Sequence, residues 1–192
     1  MTIYHWLILV FWLVFVAVWA VSAVGVKRTA GGAWVWWREI GVRVGILALV
    51  LLALRMSVFR HAVRSARLYA VNTSPLLGLV GVVLCALGIG CAIAARVHLG
   101  RNWGMPMSRK EDPELVTSGP YAYVRHPIYS GILFALLGSA VAQSLFWLLP
   151  LVVCVGYFIY SAWREEKLMS EQFPDSYPAY ARRTKMLLPF VW

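Results

Sequence analysis

The sequence predicts an all-α integral membrane protein with about five transmembrane helices. Hydrophobic residues make up 61% of its 192 residues and charged residues 14%, and the mean hydropathy is +0.71. Water-soluble domains hold about 25% charged residues. A helix needs about 20 mostly apolar residues to cross the hydrocarbon core. Five segments reach or approach this length, namely residues 3–26, 41–59, 75–95, 128–149 and 150–163.

The first two segments differ in how they carry charge. Residues 3–26 have no charged side chain before Lys27. This stretch is too long for a secretory signal peptide and lacks its basic start, so we expect a true span. Residues 41–59 hold Arg43 and Arg55 near their two ends, where long side chains can reach the lipid headgroups. Both segments are therefore predicted to cross the bilayer.

The third segment, residues 75–95, is rich in glycine. Small residues let helices approach closely in lipid, where van der Waals packing contributes to helix association. We therefore expect this segment to pack at the centre of the helical bundle. Its glycines are Gly78, Gly81, Gly88 and Gly90.

The fourth and fifth segments are predicted to form a hairpin that is joined through residues 142–144 without a charge. The fifth segment is short for a span. Either a turn at Pro150 lies below the far membrane surface, or the last helix continues through Arg164 into the cytosol. In both cases Arg125 and Arg164 lie on the same side of the membrane.

The basic residues predict which side this is. Residues 96–127 and 164–192 together carry ten of the eighteen Lys and Arg residues, and cytoplasmic loops are enriched in these residues. We therefore expect this side, and any site on it, to face the cytoplasm. The net charge of +10 is spread over the loops, a pattern that fits anionic membrane lipids rather than nucleic acid.

The chain is predicted to be a single membrane domain over residues 1–192. Residues 1–95 supply three N-terminal spans, and residues 96–192 supply a loop, the helical hairpin and a C-terminal helix. The three cysteines lie in apolar segments, without a CxxC pair or a nearby histidine cluster, so neither a disulfide nor a metal site is predicted. They are Cys85, Cys91 and Cys154.

The loop of residues 96–127 holds the first group of candidate functional residues. Gly119-Pro120 predicts a tight turn whose backbone can approach a ligand, because glycine admits close contact and proline fixes the next dihedral angle. Pro127 predicts the first turn of a helix, where its missing amide hydrogen is not needed. His126 and Tyr129 are three residues apart and are therefore expected to share a face of that helix.

A pair of carboxylates, Glu165 and Glu166, follows the last span directly. Carboxylates near a bilayer must be solvated, paired or bound to a cationic ligand. Adjacent helical residues point about 100° apart. We therefore expect one of the pair to face a ligand while the other contacts a neighbouring Arg or Lys. The alternative is an ordinary solvated helix end.

Three motifs follow one another in the second half of the chain. They are Leu99-Gly100-Arg101-Asn102-Trp103, then Leu-Val-x-x-Gly-x-Tyr-x-x-Val-Arg-His-Pro-x-Tyr over residues 115–129, then Glu165-Glu166-Lys167-Leu168 with Phe173, Tyr177, Tyr180 and Leu187-Leu188-Pro189. This ordered set resembles the isoprenylcysteine carboxyl methyltransferase and phospholipid methyltransferase families of integral membrane enzymes. The chain departs from them at Tyr160 and Ser161, where many members carry Arg or Asn.

The resemblance implies a pocket for S-adenosyl-L-methionine on the cytosolic side, formed by the loop, the last helical hairpin and the C-terminal segment. A lipophilic acceptor would reach this pocket from the bilayer. His98 either lines the pocket or caps the third span. The implied catalytic residues are Arg125, Arg164, Glu165 and Glu166. The implied cofactor-binding residues are Leu115, Val116, Gly119, Tyr121, His126, Pro127, Tyr129, Glu165 and Glu166.

Two acceptors fit this interpretation. The first is the carboxyl group of an isoprenylcysteine-like or prenylated-peptide substrate, which Arg125 or Arg164 could orient. The second is a phospholipid amine of the phosphatidylethanolamine type, which must lose a proton. Two other classes stay open, an NADPH-dependent membrane lipid reductase and a non-enzymatic membrane scaffold. The oligomeric state is open as well. Arg182, Arg183 and Lys185 either hold a phosphate headgroup or anchor the chain at the membrane.

Overall fold

The computed structural model describes residues 2–22, 73–103 and 114–189. These ranges contain helices and no β-strand, only an isolated bridge between two residues, which confirms the all-α prediction. The predicted span at residues 41–59 lies outside the described residues. The described α-helices are α1 (Ile3–Ser22), α2 (Pro75–Leu99), α3 (Pro127–Ala142), α4 (Leu148–Gln172) and α5 (Tyr177–Arg183).

Three helical stretches in the described ranges are long and apolar enough to cross a membrane. They are α1, α2 and Leu145–Gln172, which consists of α4 and the 3-10 turn before it. Helix α3 is apolar but has only 16 residues. The first and third predicted spans therefore correspond to helices of spanning length, whereas a total of five spans stays a prediction.

The predicted hairpin connection at residues 142–144 is confirmed, but the predicted bounds of its two helices are wrong in part. Helix α3 ends at Ala142 rather than 149, because Ser144 is extended, with φ −164° and ψ 155°. Trp147 Nε1 donates a 2.6 Å hydrogen bond to Gln143 Oε1 across this turn. Pro150 lies in the first turn of α4, a position that needs no backbone donor. It is therefore not the turn between the two helices.

The last helix is longer than the segment of residues 150–163 that the sequence predicts. Helix α4 continues past Arg164 to Gln172, which confirms the alternative in which the helix extends beyond the apolar segment. The sequence of α4 becomes polar after Trp163 but keeps residues that favour helix, including two glutamates and a lysine. The carboxylate pair consequently stands on a regular helix.

Helix α2 packs between α1 and α3, as its glycines predict. A Cβ atom on Gly88 would lie 2.5 Å from the backbone nitrogen of Ala135 and 2.6 Å from the carbonyl oxygen of Gly131. On the α1 side, a Cβ on Gly78 would meet the ring of Tyr4 at 2.5 Å. Gly90 faces open space and has no such role. The absence of side chains thus sets how closely α2 and α3 approach.

The C-terminal segment folds back onto the start of α3. The amide of Arg125 donates to the carbonyl of Lys185 at 2.8 Å, and the amide of His126 donates to that of Met186 at 3.1 Å. Ser130 Oγ donates to the carbonyl of Leu187 at 2.5 Å. These bonds bring the chain after α5 beside the end of the loop of residues 114–126.

Candidate functional site

Arg125 connects three parts of the chain at the end of the loop, directly before α3. Its Nε donates to Glu166 Oε1 on α4 at 2.7 Å. Its Nη1 donates to the carbonyl oxygens of Ala181 at 3.0 Å and Thr184 at 2.5 Å. The predicted contact between one glutamate of the pair and a neighbouring arginine is thereby confirmed, and Glu166 is the glutamate that makes it.

His126 lies between the two carboxylates. Its Nδ1 is 3.4 Å from Glu165 Oε2, and its Nε2 is 3.4 Å from Glu166 Oε1. The side chain is 10% exposed, and Nε2 makes no well-formed hydrogen bond with any described residue. Burial by itself lowers the pKa of His126, but its interactions with Glu165 and Glu166 outweigh burial and raise that pKa above its usual value.

An aromatic stack supports this group from α3 and α4. The rings of His126 and Tyr129 are parallel within 5° with centroids 5.4 Å apart, which confirms that they share a face of the helix. Tyr129 in turn stacks on Phe158 at 4.4 Å. Its hydroxyl donates a 2.5 Å hydrogen bond to Glu165 Oε1. The stack therefore fixes both the imidazole and one of the two carboxylates.

The tight turn at Gly119-Pro120 is present and packs against α2. Gly119 has φ +59°, and a Cβ there would lie 2.7 Å from the His98 ring. His98 Nε2 and Ser118 Oγ are 2.9 Å apart. The positive φ and the short distance from a Cβ to the His98 ring both favour glycine at position 119. His98 thus contacts the loop directly, as the pocket interpretation of this residue requires.

Tyr121 follows this turn and is buried. Its ring stacks on that of His98 at 6.4 Å, and its carbonyl accepts a 2.8 Å hydrogen bond from the Tyr180 hydroxyl on α5. Burial raises the pKa of the Tyr121 hydroxyl strongly, with further upward contributions from Tyr180 and Glu165 and a downward one from Arg96. Tyr121 therefore links the loop, α2 and α5.

The structure brings most, but not all, of the sequence-predicted residues together. Arg125, His126, Tyr129, Glu165 and Glu166 form one cluster, which we call the carboxylate cluster. Pro127 follows the loop and is buried at the first position of α3. Leu115 and Val116 lie before the Gly119-Pro120 turn and are half-buried. Arg164 is exposed and lies outside the carboxylate cluster.

Sequence reasoning assigned no site role to several residues that support the site, although it named Tyr177 and Tyr180 in the third motif. Phe158 completes the aromatic stack, and Tyr177 packs edge-on against Tyr180 at 5.9 Å. Burial is the largest cause that raises the pKa of Tyr180 to about 12. The three-residue spacing of the two C-terminal tyrosines is a signal that they share a helix face, whereas Phe158 gave none within an apolar run. Arg96 was noted only as the start of the loop, although it is 2% exposed.

The chemistry of the carboxylate cluster suits a cationic ligand. The side chains of Glu165 and Glu166 are 25% and 21% exposed, so they can still accept hydrogen bonds while solvent screening is reduced. The described residues include no group of three or more His, Cys, Asp or Glu side chains placed to hold a metal ion. The two carboxylates are the hydrogen-bond acceptors of this cluster, and Glu166 is already paired with Arg125.

The fold and the site define a helical integral membrane protein with a polar cluster where the start of α3 meets the polar part of α4. A model of the phospholipid methyltransferase family matches residues 77–176, more than half of the chain. The chain therefore belongs to the phospholipid methyltransferase family. The match runs from the start of α2 to the residue before α5 and includes the whole carboxylate cluster.

Individual relatives are similar over the same half of the chain. A cobalt-zinc-cadmium resistance protein, CzcN, from Cupriavidus metallidurans is 33% identical over 57% of this chain and 51% of its own length. A nickel-cobalt-cadmium resistance protein, NccN, from Alcaligenes xylosoxydans xylosoxydans is 30% identical over 54% and 49%. A protein-S-isoprenylcysteine O-methyltransferase from Schizosaccharomyces pombe is 33% identical over 56% and 47%. The matched region spans about half the length of these curated relatives.

Proposed function

We propose that this protein transfers a methyl group from S-adenosyl-L-methionine to a lipophilic acceptor at the membrane. The observation that carries the proposal is the convergence of Glu165 and Glu166 on α4 with His126, directly before α3. This cluster lies within the region that matches the phospholipid methyltransferase family. The names of relatives such as the S. pombe O-methyltransferase support the same reaction class.

The donor set fits the proposed cofactor. S-adenosyl-L-methionine bears a sulfonium cation and an amino group, both of which a carboxylate pair complements. His126 Nε2 lies 3.4 Å from Glu166 Oε1 without a well-formed hydrogen bond, so an acceptor atom of a ligand would compete with Glu166 for this N–H group. When bound, the cofactor supplies an electrophilic methyl group. We propose that it is held by Leu115, Val116, Gly119, Tyr121, His126, Pro127, Tyr129, Glu165 and Glu166.

Orientation and exclusion of water are the contributions of the protein side chains. Arg125 holds Glu166 in place through the 2.7 Å ion pair, and Tyr129 holds Glu165 through its hydroxyl. A fixed pair of carboxylates aligns a cationic ligand without losing energy to reorganisation. We therefore assign Arg125 a positioning role. Arg164, being exposed, is not part of this arrangement.

The state of the cluster favours a carboxylate acceptor. A carboxylate is already nucleophilic, whereas a protonated amine must first transfer its proton to a base. Glu166 is paired with Arg125 and Glu165 is bonded to Tyr129, and the raised pKa of His126 favours its protonated form. These groups are poorly suited to act as a base. We therefore propose carboxyl O-methylation of an isoprenylcysteine-like substrate.

Methylation of a phospholipid amine is the second candidate, because the matching family model is described by that acceptor class. The exposed basic residues after α4 support a site that faces the cytoplasm, where such lipids and lipidated peptides are both found. These residues also fit contacts with anionic headgroups. They are Arg182, Arg183 and Lys185.

The proposal is tested by titrating the detergent-purified full-length chain with S-adenosylhomocysteine in a calorimeter. The Glu166→Gln substitution should weaken binding about tenfold, the effect of losing one hydrogen bond to a charged group. Glu171→Gln is the matched control, because Glu171 is exposed on the same helix outside the carboxylate cluster. His126→Ala should also weaken binding.

A parallel titration with NADPH separates the reaction classes. Saturable binding of S-adenosylhomocysteine that depends on Glu166 and His126 supports the methyltransferase. Binding of NADPH alone would overturn it in favour of a reductase, and binding of neither compound would favour a membrane scaffold. Transfer of a labelled methyl group to a prenylated cysteine, compared with phosphatidylethanolamine, then identifies the acceptor.

A further inference from the structure

Arg96 is a buried cation outside the carboxylate cluster. It lies near the end of α2 and is 2% exposed. Its Nη1 donates to the Gly100 carbonyl at 2.9 Å, and its Nη2 donates to the carbonyl of Ser22 at the end of α1. The indole ring of Trp103 lies 4.5 Å from the guanidinium carbon. These partners carry partial charges only.

The positive charge of Arg96 has no carboxylate partner within the described residues. The ion pairs found there involve Arg125 and His126 instead. Moreover, Arg96 Nε is buried and makes no hydrogen bond to a described residue. A buried guanidinium is costly unless it is paired and its N–H groups are bonded. An anionic ligand would supply both an opposite charge for the guanidinium and a hydrogen-bond acceptor for Nε.

Arg96 also lies close to the loop that forms the proposed pocket. Two residues further along α2, His98 contacts Ser118 and stacks on Tyr121. Five residues before Arg96, Cys91 Sγ is 3.8 Å from the carbonyl oxygen of Pro127. The last turns of α2 therefore border the same loop as the carboxylate cluster.

We propose that Arg96 binds the anionic group of the methyl acceptor, specifically its carboxylate. This inference rests on the proposed function. The guanidinium presents Nε and one Nη as a planar fork, which matches the two oxygens of a carboxylate. The other two arginines considered are less suitable, because the charge of Arg125 is paired with Glu166 and Arg164 is exposed. A phosphate group offers similar oxygens and is distinguished by experiment.

The test compares two acceptor analogues that differ only in charge, N-acetyl-S-farnesylcysteine and its neutral carboxamide. The wild-type full-length protein in detergent should bind the acid about tenfold or more tightly than the amide. Arg96→Gln should remove this preference while the affinity for S-adenosylhomocysteine stays within about twofold. Lys167→Gln is the control, because it removes an exposed positive charge from α4 and should keep the preference.

The outcomes separate the possible roles of Arg96. Equal binding of acid and amide by the wild type, or a preference that survives in Arg96→Gln, overturns the assignment. A purely structural cap on α1 predicts lower stability without a change in the acid-to-amide ratio, and this result would overturn it too. Arg96→Lys, which keeps the charge without the fork, should retain part of the preference and serves if the glutamine variant fails to fold.

Two further measurements distinguish a carboxylate from a phosphate ligand and separate this inference from the proposed methyltransferase function. A dialkyl phosphate amphiphile that binds through Arg96, with no preference between acid and amide, would replace the carboxylate by a phospholipid headgroup and so overturn the carboxylate assignment. Failure of the wild type to bind S-adenosylhomocysteine would contradict the proposed function itself. Retained cofactor binding without an effect of Arg96 would contradict only the present inference.

Discussion

His126 and its two glutamates show how a single buried residue can make a site depend on pH. The ring is 3.4 Å from a carboxylate oxygen on each side, and Arg125 adds a second cation 2.7 Å from Glu166. With His126 protonated, the two cations balance the two carboxylates. Deprotonation leaves one negative charge in a largely buried group, which is unfavourable unless a cationic ligand is bound.

Stability should therefore depend on the protonation of His126. Since its folded-state pKa is raised above the ordinary value of about 6.5, the stabilisation by protonated His126 is fully present below that pH. It is lost as the pH rises through the folded-state pKa. Thermal unfolding in detergent should show a melting-temperature difference between wild type and His126→Gln that shrinks from pH about 6 to pH about 9.

The control for this measurement is His5→Gln, because His5 lies near the start of α1, where its ring bonds Thr2. The melting temperature of the His5→Gln variant should follow that of the wild type across the same pH range. A difference between wild type and His126→Gln that stays constant with pH would contradict the assigned role of the two carboxylates.

The hydrogen bond from the Tyr129 hydroxyl to Glu165 can be tested separately from the aromatic stack. Tyr129→Phe keeps the ring on Phe158 but removes the 2.5 Å bond. We expect a loss of about 1 kcal/mol in the free energy of unfolding, because a partly buried carboxylate loses one donor. Tyr123→Phe, at a residue that is 65% exposed, should change it little. Equal effects of the two substitutions would contradict this account.

At the scale of secondary-structure elements, the contact between α2 and α3 positions the site. The glycines that face each other across it come in pairs seven residues apart, Gly81 and Gly88 on α2 and Gly131 and Gly138 on α3. Seven residues are close to two helical turns, so both members of a pair lie on one face. Close backbone approach along this face fixes where α3 begins, and hence where His126 lies.

Glycine substitutions on α2 should therefore have opposite outcomes on its two faces. Gly88→Ala places a methyl group 2.5 Å from the backbone of Ala135, so the helices must separate, at a cost of about 1–3 kcal/mol. Gly90→Ala meets nothing within 4 Å and should be neutral or slightly stabilising, because alanine favours helix. Denaturation in mixed detergent measures both. Comparable losses in the two variants would refute the packing argument.

At the scale of the whole molecule, Arg125 and the returning C-terminal segment join parts of the chain that are far apart in sequence. Residues 123–126 and 184–187 run side by side, with a parallel bridge between Val124 and Lys185. The Arg125 side chain adds bonds to α4 and to the end of α5. The carboxylate cluster therefore depends on contacts between the loop, the last long helix and the C-terminal segment.

Replacement of Arg125 should loosen this junction. Arg125→Lys keeps a positive charge but cannot bond Glu166 and the Ala181 and Thr184 carbonyls at once. We expect the free energy of unfolding to fall by about 2 kcal/mol, since a largely buried charge pair is disrupted. Proteolysis after α5 should become faster. Arg164→Lys, at an exposed position, should change stability by less than about 0.5 kcal/mol. An unaltered proteolysis rate in Arg125→Lys would disprove the junction.

Several features followed from the sequence because they depend on local chemistry. The helical class follows from composition, since an apolar helix satisfies its own backbone in lipid. Gly119-Pro120 and Pro127 correctly predicted a turn and a helix start, because glycine admits the positive φ of the turn and proline fixes its own φ. The order of motifs predicted the family, which the match over residues 77–176 confirms.

Other features were decided only by the tertiary structure, because they depend on which distant residues meet. The sequence placed the hairpin connection at residues 142–144 but extended the fourth segment to residue 149, whereas α3 ends at Ala142 and α4 begins before Pro150. It nominated Arg125 and Arg164 alike, and only packing paired one with Glu166 and left the other exposed. Nothing in the sequence indicated that both ring nitrogens of His126 would face carboxylates. Nor did it indicate that Arg96 would be buried without a carboxylate partner among the described residues. Local rules determine backbone conformation, whereas burial and charge pairing are properties of the assembled helices.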